Sequence, residues 1–175
     1  MIDFLSYISN EYILFLVILV LSVIFAKLFT FILKTYVRRL TRKTKTDLDD
    51  IAIKIISKPI DLVIVLIGLN IALTFLTAAQ PFMNLISKIF FVLYTLVITL
   101  TLSKIVNVLI MHWFRVQKKF ERTPKLISKI ISIIIFLIAV LIILDYFEIS
   151  ITPLIATLGV GGLAVGLALQ NTLSN

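Results

Sequence analysis

The sequence contains no cysteine, which excludes disulfides and thiolate metal sites. It is also poor in charge. Only 15% of its residues are Asp, Glu, Lys or Arg, against about 25% in soluble domains. Its lone histidine, His112, has no cysteine or acidic neighbour with which to hold a metal. No Ser/His/Asp set, phosphate-binding loop or paired catalytic carboxylate is present, so the chain reads as a non-enzyme needing no metal and no cofactor. Glycine is scarce too. Of five glycines, four fall between Gly159 and Gly166 in "LGVGGLAVGLALQNTLSN". Each glycine in a helix interior costs about 1 kcal/mol relative to alanine, so their concentration in one apolar segment needs a reason.

What the chain has in abundance is apolar residues, 61% of the 175, with a mean hydropathy of +1.15. Apolar runs of 18 or more recur, each long enough to cross roughly 30 Å of hydrocarbon. An all-α membrane protein with five spans is predicted: Tyr12–Leu33, Pro59–Ala78, Phe82–Met111, Leu126–Phe147 and Thr152–Leu173. The first run follows Asp3 and Glu11 without a basic leader, so it reads as a retained span and not as a removable signal peptide. Pro59 suits the first turn of a helix, while Pro81 and Pro153 punctuate connections.

The polar segments alternate in charge. Residues 34–58, including Lys34, Arg38, Arg39, Arg42, Lys43, Lys45 and Lys58, carry eight basic residues. Residues 112–125 carry five: Arg115, Lys118, Lys119, Arg122 and Lys125. Lys/Arg-rich loops face the cytoplasm. The prediction is a multi-pass protein of the cell's inner (plasma) membrane with its N-terminus outside and its C-terminal Asn175 on the cytoplasmic side. The net charge of +8 is then mostly topology, with membrane lipids as partners and no nucleic acid.

Lys27, Lys88, Lys104 and Lys129 lie near span ends, where long side chains snorkel. Asp61 shares the level of Lys27; the two are expected as solvated interfacial groups, with direct pairing the alternative. No ionisable group falls at mid-depth, where proton-coupled transporters need one. In "TKTDLDD" (Thr44–Asp50), Thr46 and Asp49 have the spacing of a helix start, which is favoured over metal binding. His112 and Trp113 fit an aromatic belt. "GVGGLAVG" lacks the strand–helix context of a nucleotide loop.

On a helix turning 100° per residue, Gly159, Gly162 and Gly166 fall within about 60° of arc. Gly161, Ala164 and Ala168 make a second small-residue stripe on nearly the opposite side. Between the two lie Ala156, Val160, Leu163, Leu167 and Gln170. Small residues let membrane helices approach closely. Two unlike stripes suit a heterologous contact, and such contacts close into rings. The intervening face would then line a pore, with Leu163 and Leu167 as apolar collars that stop ions by dewetting. Burial of the same helix among the chain's other four spans, without a pore, is the alternative.

"GGLAVGLALQNTLSN" (Gly161–Asn175) closely resembles the pore-helix signature of the small-conductance mechanosensitive channel family, and "TKTDLDD" resembles a phrase in its basic loop. The resemblance implies a homo-oligomer, typically a heptamer, opened by membrane tension. Such a channel passes ions and small osmolytes with weak selectivity and relieves hypoosmotic pressure. It makes Leu163 and Leu167 the gate, with Ala156, Val160 and Gln170 also lining the pore. Gly159, Gly161, Gly162, Ala164, Gly166 and Ala168 would pack the pore helices together. Asn171 stands where many members carry a kink-forming glycine, and asparagine remains compatible with a bend there. The expected organisation is 1–125 for three peripheral spans and their basic loops, 126–151 for a tension-transmitting fourth span and connection, and 152–175 for the pore helix. A cytoplasmic domain is expected after Asn175. A non-conducting scaffold or lipid sensor and a secondary transporter are the competing readings.

Overall fold

The computed structural model describes the backbone of residues 2–41, 48–116 and 123–174, and the side chains of residues 10–36, 55–114 and 125–170. The described residues form α1 (Ile2–Thr41), α2 (Leu48–Thr74), a short 3-10 helix (Thr77–Phe82), α3 (Met83–Val116), α4 (Thr123–Tyr146) and α5 (Thr152–Ser174). Among the described residues five stretches are long and apolar enough to cross a membrane: Asn10–Tyr36, Ile55–Thr74, Thr77–Phe114, Lys125–Tyr146 and Thr152–Gln170. In hydrocarbon a backbone has no water to bond, so continuous helices are the form these stretches must take. The chain is a multi-pass, all-α membrane protein.

Two boundaries differ from expectation. Pro59 lies inside α2, not in its first turn, because the helix starts at Leu48. Proline cannot donate to the carbonyl of Ile55, yet a helix carries one such loss where its surroundings support it. The second span also ends earlier, at Thr74, and a 3-10 helix containing Pro81 follows. Gln80 Nε2 donates to the Thr74 carbonyl at 2.7 Å and closes the end of α2. The side chains of Arg38, Arg39, Arg42, Lys43 and Lys45, of Arg115, Lys118, Lys119 and Arg122, and of the Thr46–Asp49 pair lie outside the described residues.

The chain divides into two compact units, Met1–Ala139 and Val140–Asn175, the division falling within α4. In the first unit, α1 packs on α2 and α2 on α3. Among the described residues the buried ones are nearly all small: Ala26, Gly68, Ala72, Ala139, Thr30, Ser57, Thr99 and Ser128, with Phe90 the large exception. That is the composition expected where helices attract through close contact. Along α1, Ser22, Ala26 and Thr30 recur every fourth residue, on one face of the helix. Gly68 of α2 meets this seam so closely that a Cβ added to it would collide with the Cβ and Oγ of Ser22.

Polar bonds tie α1 to α2 on one side of that contact and to the 3-10 helix on the other. Thr30 Oγ1 donates to Asp61 Oδ1. Toward the start of α1, the Glu11 carboxylate accepts from the Thr77 amide at 2.9 Å and from its hydroxyl at 2.5 Å. Positions ascending on α1 meet positions descending on the partner segment, an antiparallel register. Asp61 is thus bonded by Thr30, one turn from Lys27.

Between α3 and the start of α4, four side chains form a small polar cluster. Ser103 Oγ donates to Ser132 Oγ at 3.0 Å, Ser132 Oγ donates to Asn107 Oδ1 at 3.2 Å, and Ser128 Oγ donates to the same oxygen. Within α3, Thr95, Thr99 and Thr101 each donate to the carbonyl four residues back. No buried side-chain N or O among the described residues lacks a partner.

In the second unit, α4 ends in a Schellman turn. The Ile149 amide donates to the Leu144 carbonyl at 3.0 Å, and the Glu148 amide to the Asp145 carbonyl at 2.9 Å. The motif needs a left-handed residue before Ile149, and Glu148 takes that conformation with φ 60°. Glycine is the usual occupant; other L-residues cost roughly 1–2 kcal/mol there.

Two stability measurements test these contacts. Gly68→Val should destabilise the protein by about 1–3 kcal/mol, the usual cost of overpacking, in equilibrium unfolding in detergent. Adding Ser22→Gly should restore much of that loss. Glu148→Gly should preserve the turn and stabilise it by about 0.5–1 kcal/mol after the entropy of the added glycine is counted, whereas Glu148→Val should destabilise it.

Candidate functional site

The segment that concentrates the glycines is α5. The Ile151 carbonyl accepts from the Ile155 amide at 2.9 Å, so the helix begins at Thr152 and Pro153 falls in its first turn, where the missing N–H costs nothing. Thr157 Oγ1 donates to the Leu154 carbonyl at 2.8 Å, leaving that hydroxyl satisfied. The helix then continues without interruption to Ser174 and includes Asn171, whose side chain lies outside the described residues.

None of the glycines in α5 has a positive φ. Their conformational freedom is therefore unused, and what they contribute is a bare surface. Gly68 shows what a glycine engaged within this chain looks like, with Ser22 filling the space a side chain would take. Around Gly159, Gly161, Gly162 and Gly166, by contrast, no side chain of the same unit beyond the adjacent residues lies within 4 Å of an added Cβ. Every described residue of α5, from 152 to 170, is exposed.

Because the helix is regular, it places the expected residues on shared faces. Gly159, Gly162 and Gly166 lie together, Gly161, Ala164 and Ala168 lie nearly opposite, and Ala156, Val160, Leu163, Leu167 and Gln170 occupy the strip between. Val160, Leu163 and Leu167 stand out furthest, at 69%, 71% and 69% exposure, compared with 43% and 48% for Leu158 and Leu169. The cause is local. Leu163 has Gly159 four residues before it and Gly166 three residues after, so its side chain rises above bare backbone. Leu167 follows one helical turn, about 5–6 Å, further along. Two neighbouring leucines on a stripped helix can form an apolar constriction, and nothing on this strip can bind a substrate by charge.

The remaining candidates stand elsewhere. His112 is half-buried, and the exposed Trp113 packs edge-on against Phe114 with ring centroids 5.3 Å apart. Lys27, Lys104 and Lys129 are exposed. Among the described residues no three His, Asp or Glu gather as a metal site. Sequence reading missed the contact of Gly68 with Ser22 and the polar cluster of Ser103, Asn107, Ser128 and Ser132. The four-residue spacing of Ser22, Ala26 and Thr30 was the available signal for the first. For the second it was the matching spacings of Ser103 with Asn107 and Ser128 with Ser132.

Comparison with known proteins bears on the same two helices. The family model described as "Mechanosensitive ion channel, transmembrane helices 2/3" matches residues 129–170, within α4 and α5. The large-conductance mechanosensitive channel MscMJLR of Methanocaldococcus jannaschii is 26% identical over 172 residues, covering 94% of this chain and 48% of that protein. The small-conductance mechanosensitive channel MscMJ of the same organism is 31% identical over 172 residues, covering 95% of this chain and 49% of that protein. An uncharacterized MscS family protein, YhdY of Bacillus subtilis, is 28% identical over 165 residues, covering 91% of this chain and 44% of its own length.

The chain thus spans about half the length of the curated relatives it matches, and the similarity reaches far beyond the glycine segment into the preceding helices. No solved structure matches it. With a channel-family model on α4 and α5 and relatives aligned along nearly its whole length, the chain belongs to the MscS-like mechanosensitive channel family.

Proposed function

We propose that the protein is a mechanosensitive ion channel in which α5 helices from identical copies surround a central pore. The observation that carries this reading is the glycine surface of α5, which meets no side chain of its own unit. An apolar helix with two small-residue stripes finds its closest partner in another copy of itself, glycine side to alanine side. The names of the two Methanocaldococcus relatives, both mechanosensitive channels, support the activity.

In that ring the strip of Ala156, Val160, Leu163, Leu167 and Gln170 faces the axis, and Leu163 and Leu167 form the gate. Narrow apolar collars hold water out while closed and conduct when widened. No charged residue lines the strip, so ions and small osmolytes pass with weak selectivity. The ring is a heptamer by resemblance, with the N-terminus outside, the C-terminus in the cytoplasm and Asn171 available for a bend. The channel relieves hypoosmotic pressure across the plasma membrane.

Tension favours the state that occupies more membrane area, and it shifts the equilibrium only by distinguishing the states. Residues 126–151, comprising the fourth span and its connection, are the transmitter, because this segment leads directly into α5. Residues 1–125 are peripheral to the pore.

Patch recording from reconstituted protein under a suction ramp tests the channel. Current steps should appear with tension. Leu163→Ser and Leu167→Ser should lower the opening tension, because each exposes less apolar surface to water, an effect of about 1.5–3 kcal/mol per side chain. Silence of intact oligomers up to membrane rupture would sink the reading. Transmission through α4 is tested by deleting Ser150 from the connection. A displaced threshold is expected, and an unchanged one would remove α4 from that role.

A further inference from the structure

The helices of the first unit are joined in two different ways. α1 packs closely on α2 and α2 on α3, whereas among the described residues α3 and α4 do not share that close packing. Their tie is the polar cluster. Ser103 Oγ donates to Ser132 Oγ at 3.0 Å, and Asn107 Oδ1 accepts from Ser132 Oγ at 3.2 Å and from Ser128 Oγ. Position 103 thus stands opposite 132 and position 107 opposite 128, an antiparallel register in which each helix contributes two residues one turn apart.

The polar row on α3 does not stop at this cluster. Thr95, Thr99, Ser103 and Asn107 recur every fourth residue, on one slowly rotating face of the helix. Thr99 is buried, and its hydroxyl donates to the Thr95 carbonyl at 2.6 Å. A hydroxyl that donates keeps lone pairs with which to accept. On α4 the matching row is Ser128 and Ser132; one turn beyond it on either side stand Pro124 and Phe136. The row on α3 is the longer one, so it can satisfy both serines in two registers.

We propose that α4 steps along this row by one helical turn, and that Asn107 and Thr99 decide which of the two registers it holds. In the observed register Ser128 is on Asn107 and Ser132 on Ser103. When α4 moves toward its own C-terminal end by one turn, about 6 Å at 1.5 Å per residue, Ser128 meets Ser103 and Ser132 meets Thr99. A step the other way sets Ser128 against Met111 and Phe136 against Ser103, and the row is lost. Helices that change register in this manner move by whole turns.

Two features make the observed register the resting one. It alone gives the Asn107 carbonyl its two donors. It also keeps the exposed Lys129 nearer the basic segment 112–125, and the step would carry that charge deeper, where its side chain must reach further back to the headgroups. Two discrete positions of α4 are what tension can act upon, because it selects between states that differ. The link to opening rests on the channel reading above; the step itself does not.

The chain has no cysteine of its own, so engineered pairs report the register without interference. A disulfide needs Cβ atoms about 4 Å apart, a distance that one turn of displacement destroys. In resting phosphatidylcholine vesicles under mild oxidation, Ser103→Cys with Ser132→Cys should crosslink, and Ser103→Cys with Ser128→Cys should not. Hypoosmotic swelling should shift the ratio of the two yields about fivefold or more toward the second pair. Thr99→Cys with Ser132→Cys reads the stepped register independently and stands in if the Ser128 pair does not fold.

Two further substitutions separate a stepping device from a merely structural cluster. Asn107→Leu should raise crosslinking of the Ser103–Ser128 pair without swelling, whereas Thr99→Val should suppress it in swollen vesicles. In patch recording the first should lower the opening tension and the second raise it. Yields that swelling leaves unchanged would overturn the proposal, and so would shifts in the same direction from both substitutions. Absence of current from the unsubstituted chain would count against the channel reading alone, since the crosslinks still report the register.

Discussion

Hydrocarbon gives helices no reason to hide apolar side chains from one another, since the solvent is as apolar as leucine. What holds α1 against α2 must then be distance: how near two backbones can come before side chains intervene. Gly68 and Ser22 set that distance. With the backbones this close, the bond from Thr30 to Asp61 joins the same two helices further along, and Glu11 reaches Thr77 at the other end. Enlarging the contact would strain the approach on which these bonds depend. α2 also carries the packing of α3, so one missing side chain sets the spacing at the pair on which α3 is added.

The second constraint is that a polar group in this solvent must find its partner inside the protein. The threonines of α3 solve it locally by bonding to their own helix. Ser103, Asn107, Ser128 and Ser132 solve it between helices, and so turn a liability into an attachment of α4 to α3. Such interhelical bonds average about 0.6 kcal/mol in membranes, because an unassembled helix also finds partners. Their value lies in fixing register as much as in strength.

The five spans were legible in the sequence because length and hydropathy decide whether a helix crosses a bilayer, and both are properties of a single segment. The regular helix of α5, with its stripes of small residues, was legible for the same reason. Pro59 was misplaced because proline marks a helix start only when nothing upstream is helical, and α2 continues back to Leu48. The 3-10 helix after Thr74 hid behind an apolar run that hydropathy does not divide. Gly68, isolated among large residues, gave no local sign of its role, since Ser22 stands on another helix.

The bare surface of α5 has a consequence for how the protein's stability is to be understood. Four glycines make this helix several kcal/mol poorer than an alanine helix of equal length, and no side-chain contact within its own unit offsets that cost at those positions. If other copies supply the missing contacts, the free energy of α5 obeys mass action: it improves with the density of the protein in the membrane and weakens on dilution. Expression level then becomes a thermodynamic variable, and a sparsely populated membrane would hold the same chain in a less stable state.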